Sequence, residues 1–318
     1  MAAKSIAKIH SDALRLVEGK MIQGEIKFHE AGWWKAEQGG IRCFLCPRGC
    51  LIHEGENGFC GVRKNLRGKL YSIAYGHPVA IHIDPIEKKP LAEFLPGSWT
   101  FSLGTYGCNL VCSFCQNHHL SRDFYDDGKA EDSTFYTPEK IADLARSEDC
   151  KSVAFTYNEP SIWAEYAIDI AKVAKERGLA TVLVSNGYIT LEAAHDLYPW
   201  IDAANIDMKG FSGEFYSTMT GGRLAPVLEA IKYFASLGKH LEITNLVIPN
   251  KNDSKEMVDG FLDWIRDNLG FNVPIHFSAY HPDYKYKESR ATPPETLHSI
   301  KDRALKLGFK SIHIGNIF

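Results

Sequence analysis

From about residue 98 onward, short runs of apolar and β-branched residues alternate with longer segments in which apolar residues recur at helical spacing. Each short run has the length of one buried strand, and each longer segment has the length of one helix. The predicted strands cover residues 98–103, 152–156, 180–184, 203–207, 241–247, 274–280 and 311–314. Strands that alternate with helices in this way predict a parallel sheet with crossover helices.

The helices between these strands have recognisable ends. In residues 161–177 the apolar positions share one helical face, and Gly178 follows as a stop signal. Two further helices are predicted to begin at Thr137-Pro138 and Thr292-Pro293, where the threonine hydroxyl caps the first turn. Repeated βα units joined by right-handed crossovers close naturally, so we predict an α/β fold with a full or partial (β/α) barrel of the TIM type over residues 98–318.

Residues 1–97 have a different pattern and predict a small cysteine-rich region that binds metal. It is predicted to open with helix that includes Trp33 and Trp34, and to continue with strands over residues 69–75 and 79–83. Residues 84–91 carry two prolines and are predicted to be a docked connection to the barrel. Residues 123–133 are acidic and predicted to be exposed.

Polar residues follow the predicted strands at the point where each strand ends. Each segment alone has an ordinary explanation as a loop, because Asn, Gly, Asp and Pro are common turn residues. In a (β/α) barrel, however, the carboxyl ends of the strands form one rim, where active sites lie. We therefore expect these segments to surround a single site. In chain order they are the cysteine loop, Tyr157-Asn158-Glu159-Pro160, Ser185-Asn186-Gly187, Asp207-Met208-Lys209, Val247-Ile248-Pro249-Asn250 and His281-Pro282.

The cysteine loop contains Cys108, Cys112 and Cys115, three thiols within eight residues. Three thiolates can hold three irons of a [4Fe–4S] cluster and leave the fourth iron without a protein ligand. An electron-carrying cluster normally has four thiolates, so the missing one suggests that another molecule coordinates that iron. The alternative is a set of buried or incidentally clustered thiols.

A second group of cysteines lies in the N-terminal region: Cys43, Cys46, Cys50 and Cys60. Four thiolates would complete a tetrahedral zinc site, and they would equally complete an auxiliary [4Fe–4S] cluster. Free thiols are the third explanation. The eighth cysteine, Cys150, ends a predicted helix and is interpreted as a small buried apolar residue.

The charge and the hydrophobic pattern limit the expected cellular location and the classes of partner. The formal net charge of −3 gives no electrostatic sign of nucleic-acid binding, so RNA is disfavoured as a substrate. No apolar run is long enough to span a bilayer and the chain starts without a signal-peptide pattern, so we expect no membrane association and a cytoplasmic location. A cluster with an open iron is oxygen-sensitive, which predicts anaerobic or strongly reducing conditions.

These motifs resemble known families. The Cys-x3-Cys-x2-Cys loop, with Phe114 before its last cysteine, resembles the signature of the radical S-adenosylmethionine (SAM) superfamily. The segments 157–160 and 207–209 and His281 resemble motifs of the glycyl-radical-enzyme activating enzymes, typified by pyruvate formate-lyase activating enzyme, although Tyr157-Asn158 replace two glycines. The N-terminal cysteines, residues 84–90 and Cys115-Gln116-Asn117 resemble the radical enzyme of the AmmeMemoRadiSam system over roughly residues 30 to 317.

The resemblance implies that a reduced [4Fe–4S] cluster cleaves SAM to methionine and a 5′-deoxyadenosyl radical, which abstracts hydrogen from a substrate. It also assigns roles on the rim. Lys209 would neutralise the SAM carboxylate, and Glu159 with the backbone near Asn158 would accept from its ammonium. Ser185, Asn186 and Asp207 would contact the ribose or support other ligands, and Phe114 and Val247 would contact adenine. His281 would contact SAM or substrate, or alternatively would cap its own loop.

The implied partners are a flavodoxin or ferredoxin as the reductant, and either a glycyl-radical enzyme or Memo-like and AMMECR-like proteins. The substrate could be a protein, a small molecule or RNA. A function of another class is a non-catalytic iron–sulfur scaffold or electron-transfer protein, which would not cleave SAM.

Overall fold

The computed structural model describes residues 28–122 and 134–317. Its strands, in chain order, are β1 His29–Glu30, β2 Trp34–Glu37, β3 Gly40–Cys43, β4 Leu51–Ile52, β5 Arg63–Leu66, β6 Lys69–Ser72, β7 Ala80–Pro85, β8 Trp99–Gly104, β9 Ser152–Phe155, β10 Ala180–Ser185, β11 Ala203–Asp207, β12 His240–Val247, β13 Ile275–Ala279 and β14 Ile312–Gly315. The acidic segment 123–133 and the predicted helix before residue 28 lie outside the described residues.

The helices are α1 His118–Ser121, α2 Pro138–Ser147, α3 Ala164–Glu176, α4 Leu191–Leu197, α5 Gly213–Phe215, α6 Leu224–Ser236, α7 Lys255–Leu269 and α8 Pro294–Leu307. Short 3₁₀ turns cover Ile86–Lys88, Pro160–Trp163 and Tyr198–Trp200, and a π-helical turn covers Tyr216–Thr220.

Strands β7 to β14 form one eight-stranded sheet in sequence order. The pairs from β8 to β14 are parallel, and only β7 runs antiparallel to its neighbour β8. Within the described residues the edge strands β7 and β14 are not paired with each other, so the barrel is partial. All seven strands predicted after residue 97 are confirmed, with ends that differ by one residue at most.

Two helices were predicted to begin after a capping threonine, and the structure confirms one of these starts and not the other. Thr137 caps α2 as predicted, because its hydroxyl accepts a hydrogen bond from the Lys140 N–H at 3.2 Å. The predicted cap at Thr292 is wrong, since α8 begins only at Pro294. The Thr292 hydroxyl instead donates to the Val247 carbonyl at 2.6 Å, which joins the loop to the end of β12.

The N-terminal residues form two small antiparallel sheets, with strand orders β1-β6-β5 and β2-β3-β4. The helix predicted at Trp33 and Trp34 is wrong, because Trp34 begins β2 and Trp33 has a φ of 51° that no helix allows. The strand β7 lies before residue 97 yet belongs to the barrel sheet, where Ala80 pairs with Gly104. The division into 1–97 and 98–318 remains a proposal.

The connection after β7 packs inside the barrel. Its apolar residues contact small inward-facing side chains of the parallel strands, in a cluster of Ile86, Leu91, Ala154, Val182 and Ala203. The Asn205 side chain donates to the Pro90 carbonyl at 2.6 Å, and the buried Glu242 carboxylate accepts from the N–H groups of Ala92 and Glu93 at 3.0 and 2.9 Å. These residues therefore fill part of the barrel and form an inner wall for the space above them.

Candidate active site

A cavity of about 320 Å³ opens among the carboxyl ends of the parallel strands. Most of the side chains predicted for the site line it together: Cys108, Cys112, Phe114, Cys115, Asn158, Glu159, Ser185, Asn186, Asp207 and Lys209. Parallel strands of one sheet bring distant segments of sequence to the same rim, as expected. Its volume is within the range of small-molecule sites.

The cysteine loop is fixed by contacts from several elements. Gly107 has a φ of 87°, and a Cβ there would lie 2.1 Å from the Cys60 carbonyl oxygen, so only glycine fits. The Val111 and Ser113 N–H groups donate to the carbonyls of Thr220 and Met219, each at 2.9 Å. The loop is therefore held in place by backbone contacts with neighbouring segments.

The three thiols of this loop have different surroundings. Cys108 accepts weak hydrogen bonds from the Leu110 N–H at 3.4 Å and from the Asn186 amide at 3.8 Å. Burial raises the pKa of the Cys108 thiol well above its usual range, and that of Cys112 to about 12. Cys115 lies 3.2 Å from the Ser121 hydroxyl. Ligation by thiolates would therefore have to displace protons.

Glu159 is buried, and its carboxylate faces the turn after β10. It accepts hydrogen bonds from the Ser161 N–H at 3.0 Å, the Ser185 hydroxyl at 2.8 Å and the Asn186 N–H at 2.8 Å. Burial raises the pKa of Glu159, although these donors oppose the change. The Ser161 hydroxyl also hydrogen-bonds to this carboxylate, so protein donors already use about four acceptor positions.

Asp207 and Lys209 form an ion pair of 2.8 Å at the end of β11. Burial acts against the charge of Lys209, but the carboxylate of Asp207 and the nearby thiols raise its pKa above the usual value. Lys209 is therefore a cation at neutral pH, and it faces the same cavity as the cysteines.

Two predicted residues do not line this cavity within the described part of the chain: Val247 and His281. Val247 is buried, while Thr244 and Leu246 of the same strand line the wall, because alternate side chains of a strand point to opposite faces. His281 Nε2 hydrogen-bonds to the Asn316 carbonyl at 2.8 Å, which joins it to the segment after β14, and its role toward SAM or substrate stays a prediction.

Tyr157 was considered in the sequence only as a replacement for glycine, and the structure shows what the replacement does. Its φ is 71°, in the region that favours glycine. Its hydroxyl donates to Asp84 at 2.7 Å, and its carbonyl accepts from Asn117 at 2.8 Å. The strained residue thus links the connection after β7 to the cysteine loop.

Comparison with known proteins identifies the family. Residues 102–265 match the model of the radical SAM superfamily. An uncharacterized protein of Methanocaldococcus jannaschii is 40% identical over 293 residues, which cover 92% of this chain and 85% of that protein. The chain belongs to the radical SAM superfamily.

Two other relatives of this radical SAM protein are informative. The pyruvate formate-lyase-activating enzyme of Clostridium pasteurianum is 24% identical over 59% of this chain and 83% of its own. The crystal structure of a radical SAM methyltransferase from Sphaerobacter thermophilus has a TM-score of 0.52 at 12% identity, covering 70% of this chain and 67% of that one, which supports the fold alone. The predicted resemblance to radical SAM and activating enzymes is confirmed, and the closer resemblance to the AmmeMemoRadiSam enzyme stays a prediction.

The donor set of this radical SAM protein suits the cofactors of its superfamily. Three free thiols, the Lys209 ammonium and the Glu159 carboxylate share one cavity. In the described residues, no three Cys, His, Asp or Glu side chains converge closely enough to hold a single metal ion as they stand. A cubane cluster would hold its three thiolates on three separate irons, so it does not require them to converge on one point.

The four N-terminal cysteines also lie together. They line a small enclosed cavity of about 10 Å³: Cys43, Cys46, Cys50 and Cys60. Burial raises the pKa of the Cys60 thiol to about 12. Arg48 extends from this loop to the cysteine loop of the barrel, where its guanidinium donates to the Asn109 carbonyl and, at 2.9 Å, to the Gly221 carbonyl. The two cysteine groups are therefore parts of one packed unit.

None of the helices in the described residues is long and apolar enough to cross a membrane.

Proposed function

We propose that this protein is a radical SAM enzyme of the activating-enzyme type, in which Cys108, Cys112 and Cys115 hold a [4Fe–4S] cluster. The observation that supports it most is the shared cavity, which contains three free thiols beside Lys209 and Glu159. When bound, the cluster supplies one electron and SAM supplies the 5′-deoxyadenosyl radical that abstracts hydrogen from a substrate.

The chain itself would bind and orient SAM. Lys209 is charged and only 17% exposed, so it can bind the methionine carboxylate, while Asp207 keeps the lysine in place. Glu159 lines the same cavity and is the candidate acceptor for the ammonium. Ser185 supports Glu159 and is a candidate for the ribose, and Phe114, only 3% exposed, offers an apolar surface to adenine.

Asn158 has a different part in this proposal. Its side-chain amide donates to Thr105 Oγ1 and to the carbonyls of Tyr106 and Gly107 at 2.9, 3.1 and 3.0 Å. Its oxygen accepts from the Thr105 N–H at 3.1 Å. The side chain thus holds the start of the cysteine loop, which leaves only the backbone of Asn158 for the ammonium of SAM.

We further propose that Cys43, Cys46, Cys50 and Cys60 bind metal. Four thiolates fit either zinc or an auxiliary [4Fe–4S] cluster, and the Cys43-x2-Cys46 spacing before Arg48-Gly49 resembles a zinc knuckle, which favours zinc. Metal analysis of anaerobically reconstituted protein checks this. We expect about four irons and one zinc per chain, whereas about eight irons without zinc would support the auxiliary cluster instead.

The proposed partners follow from the relatives. The relative from Clostridium pasteurianum is named for activating pyruvate formate-lyase. By analogy, a glycyl-radical enzyme is one candidate partner here, with a flavodoxin or ferredoxin as the electron donor. Memo-like and AMMECR-like proteins and the cytoplasmic location stay predictions.

The proposed function is tested by anaerobic reconstitution, reduction with dithionite and measurement of 5′-deoxyadenosine formed from SAM. We expect the intact protein to form it and Cys112→Ala to lose nearly all of the activity, because the cluster loses one thiolate. Cys150→Ala is the matched control, since Cys150 is a buried cysteine in the loop between α2 and β9 and does not line the cavity. An intact protein that forms no 5′-deoxyadenosine would support the scaffold or electron-transfer alternative.

A further inference from the structure

One wall of the cavity consists of side chains that the proposed cluster and SAM contacts leave unused. We call it the inner wall, and its residues are Lys88, Lys89, Pro90, Thr244, Leu246 and Ser278. The Pro90 carbonyl is bound by Asn205, two residues before Asp207 on β11, so this part of the wall lies about 7 Å deeper in the barrel than Asp207.

The inner wall carries an excess of positive charge. Asp84 lies 2.8 Å from the Lys89 ammonium and 3.6 Å from that of Lys88, so two cations share one carboxylate. Burial acts against the charge of Asp84, but hydrogen bonds from Lys89 and Tyr157 lower its pKa to about 2, so it is ionised. Lys88 is 61% exposed and Lys89 is 3% exposed, which places one cation near solvent and one inside.

Lys89 is held in this position by a residue under strain. The Tyr157 ring centroid is 4.5 Å from the Lys89 ammonium, and its hydroxyl binds the same Asp84 carboxylate. A tyrosine with positive φ is unfavourable by about 1–3 kcal/mol and persists where the surroundings require it, often at functional sites. Its effect here is to fix a buried ammonium that makes one hydrogen bond to a side chain although it has three donors.

Thr244 also belongs to the wall, but its hydroxyl does not face the cavity. Within the described structure its Oγ1 forms no hydrogen bond and is covered by protein atoms. The donors that the wall offers are therefore the ammonium groups of Lys88 and Lys89.

We propose that the inner wall is the subsite for one anionic group of the substrate, a carboxylate or a phosphate, bound by Lys88 and Lys89. This inference rests on the proposed function, because it assigns the part of the cavity that SAM leaves to the substrate. The two ammonium groups share the single carboxylate of Asp84, so an anionic group of the substrate would balance the second positive charge.

The test uses the reconstituted holoenzyme, saturated with SAM under anaerobic conditions. Its Tm is measured during titration with inorganic phosphate, and in a second arm with acetate, each against sodium chloride at equal ionic strength. We expect a saturable rise in Tm. The anion that binds with the higher apparent affinity indicates whether the substrate group is a phosphate or a carboxylate.

One variant locates the site. Lys88→Met should weaken the apparent anion affinity about tenfold, or about 1.4 kcal/mol, because it removes a hydrogen bond to a charged group. The variant does not leave Asp84 without a cation, because Lys89 remains. Lys232→Met is the control: its lysine is exposed on α6, pairs with Glu229, and should not alter the titration.

The inference is overturned if neither anion gives a saturable rise, or if Lys88→Met titrates like the wild type. This outcome is distinguishable from failure of the proposed function, because anion binding is measured without turnover. A protein that binds the anion through Lys88 and forms no 5′-deoxyadenosine keeps the subsite and loses the radical chemistry. A protein that forms 5′-deoxyadenosine and binds neither anion keeps the radical chemistry and loses the subsite.

Discussion

The protein already uses the side chain of Asn186, one of the residues predicted to contact the ribose of SAM. Its amide nitrogen donates to Asn109 Oδ1 at 3.0 Å and to the Cys108 sulfur at 3.8 Å, and its oxygen accepts from the Tyr188 N–H at 2.8 Å. The Tyr188 donor fixes which end of the amide is oxygen. Asn186 is therefore better placed to act on the sulfur of Cys108 than on the ribose.

We predict that Asn186→Leu makes the midpoint potential of the bound cluster more negative. An N–H donor stabilises the extra negative charge of a reduced cluster, and hydrogen bonds to sulfur are one determinant of its potential. The potential is measured by an anaerobic redox titration followed by electron paramagnetic resonance, at matched iron content. Asn65→Leu removes an equally buried asparagine from the N-terminal sheet and should leave the potential unchanged. An unchanged potential in Asn186→Leu would refute the role.

Single residues also show why parts of the site could not be read from the sequence. The residue types at the strand ends predicted Cys108, Glu159 and Lys209 correctly as neighbours of one cavity. Thr244 has no motif around it, and its position depends on the pleat of β12. Once Thr244 is placed on the cavity side of β12, the alternation of side chains along a strand predicts Leu246, and not Val247, on that side.

At the scale of elements, the strands could be predicted from the sequence, whereas the start of α8 and the path of the connection after β7 could not. The seven parallel strands have apolar runs that only a buried sheet satisfies, so local pattern and tertiary packing agree. Thr292 was misassigned because its hydroxyl bonds to Val247, a partner 45 residues away that a local capping rule does not consider. The connection after β7 was predicted to dock, but its path inside the barrel depends on the small residues Ala154 and Ala203 of other strands.

Glu242 anchors this connection and makes it sensitive to acid. Its carboxylate is fully buried and accepts from Ala92, Glu93, His240 and His276. Burial would raise its pKa, but hydrogen bonds from the two histidines and the two N–H groups lower it far below the usual 4.5. Since the folded pKa is lowered, the stabilisation is fully present above pH 4.5 and is lost progressively as the pH falls below it.

We predict that Glu242→Gln lowers the free energy of unfolding by about 2–4 kcal/mol at pH 7, because the buried hydrogen bonds to the charged carboxylate are lost. The difference in unfolding free energy between the variant and the wild type should shrink as the pH falls from roughly 5 toward 3, through the usual pKa of a carboxyl group. Chemical denaturation at several pH values measures both effects. Glu256→Gln, in the first turn of α7, is the control. A difference that is independent of pH would contradict the assigned role of the charge.

At the scale of the whole molecule, the barrel and the N-terminal sheets meet at the cysteine loop. Arg48 bridges the two cysteine groups, and Gly107 packs against the Cys60 carbonyl. The inner wall closes the same cavity from below through Lys89 and Pro90. The account therefore places cluster, SAM and substrate in one cavity whose three sides come from different parts of the chain.

The most direct measurement of this account is electron–nuclear double resonance of the reduced, reconstituted protein with SAM that carries ¹⁵N in its amino group. If Cys108, Cys112 and Cys115 leave one iron open and SAM binds it in this cavity, the amino nitrogen shows a hyperfine coupling to the cluster. We predict this coupling in the intact protein and its weakening in Lys209→Met, which loses the cation for the SAM carboxylate. A reduced four-iron cluster that shows no ¹⁵N coupling at saturating SAM would contradict the account.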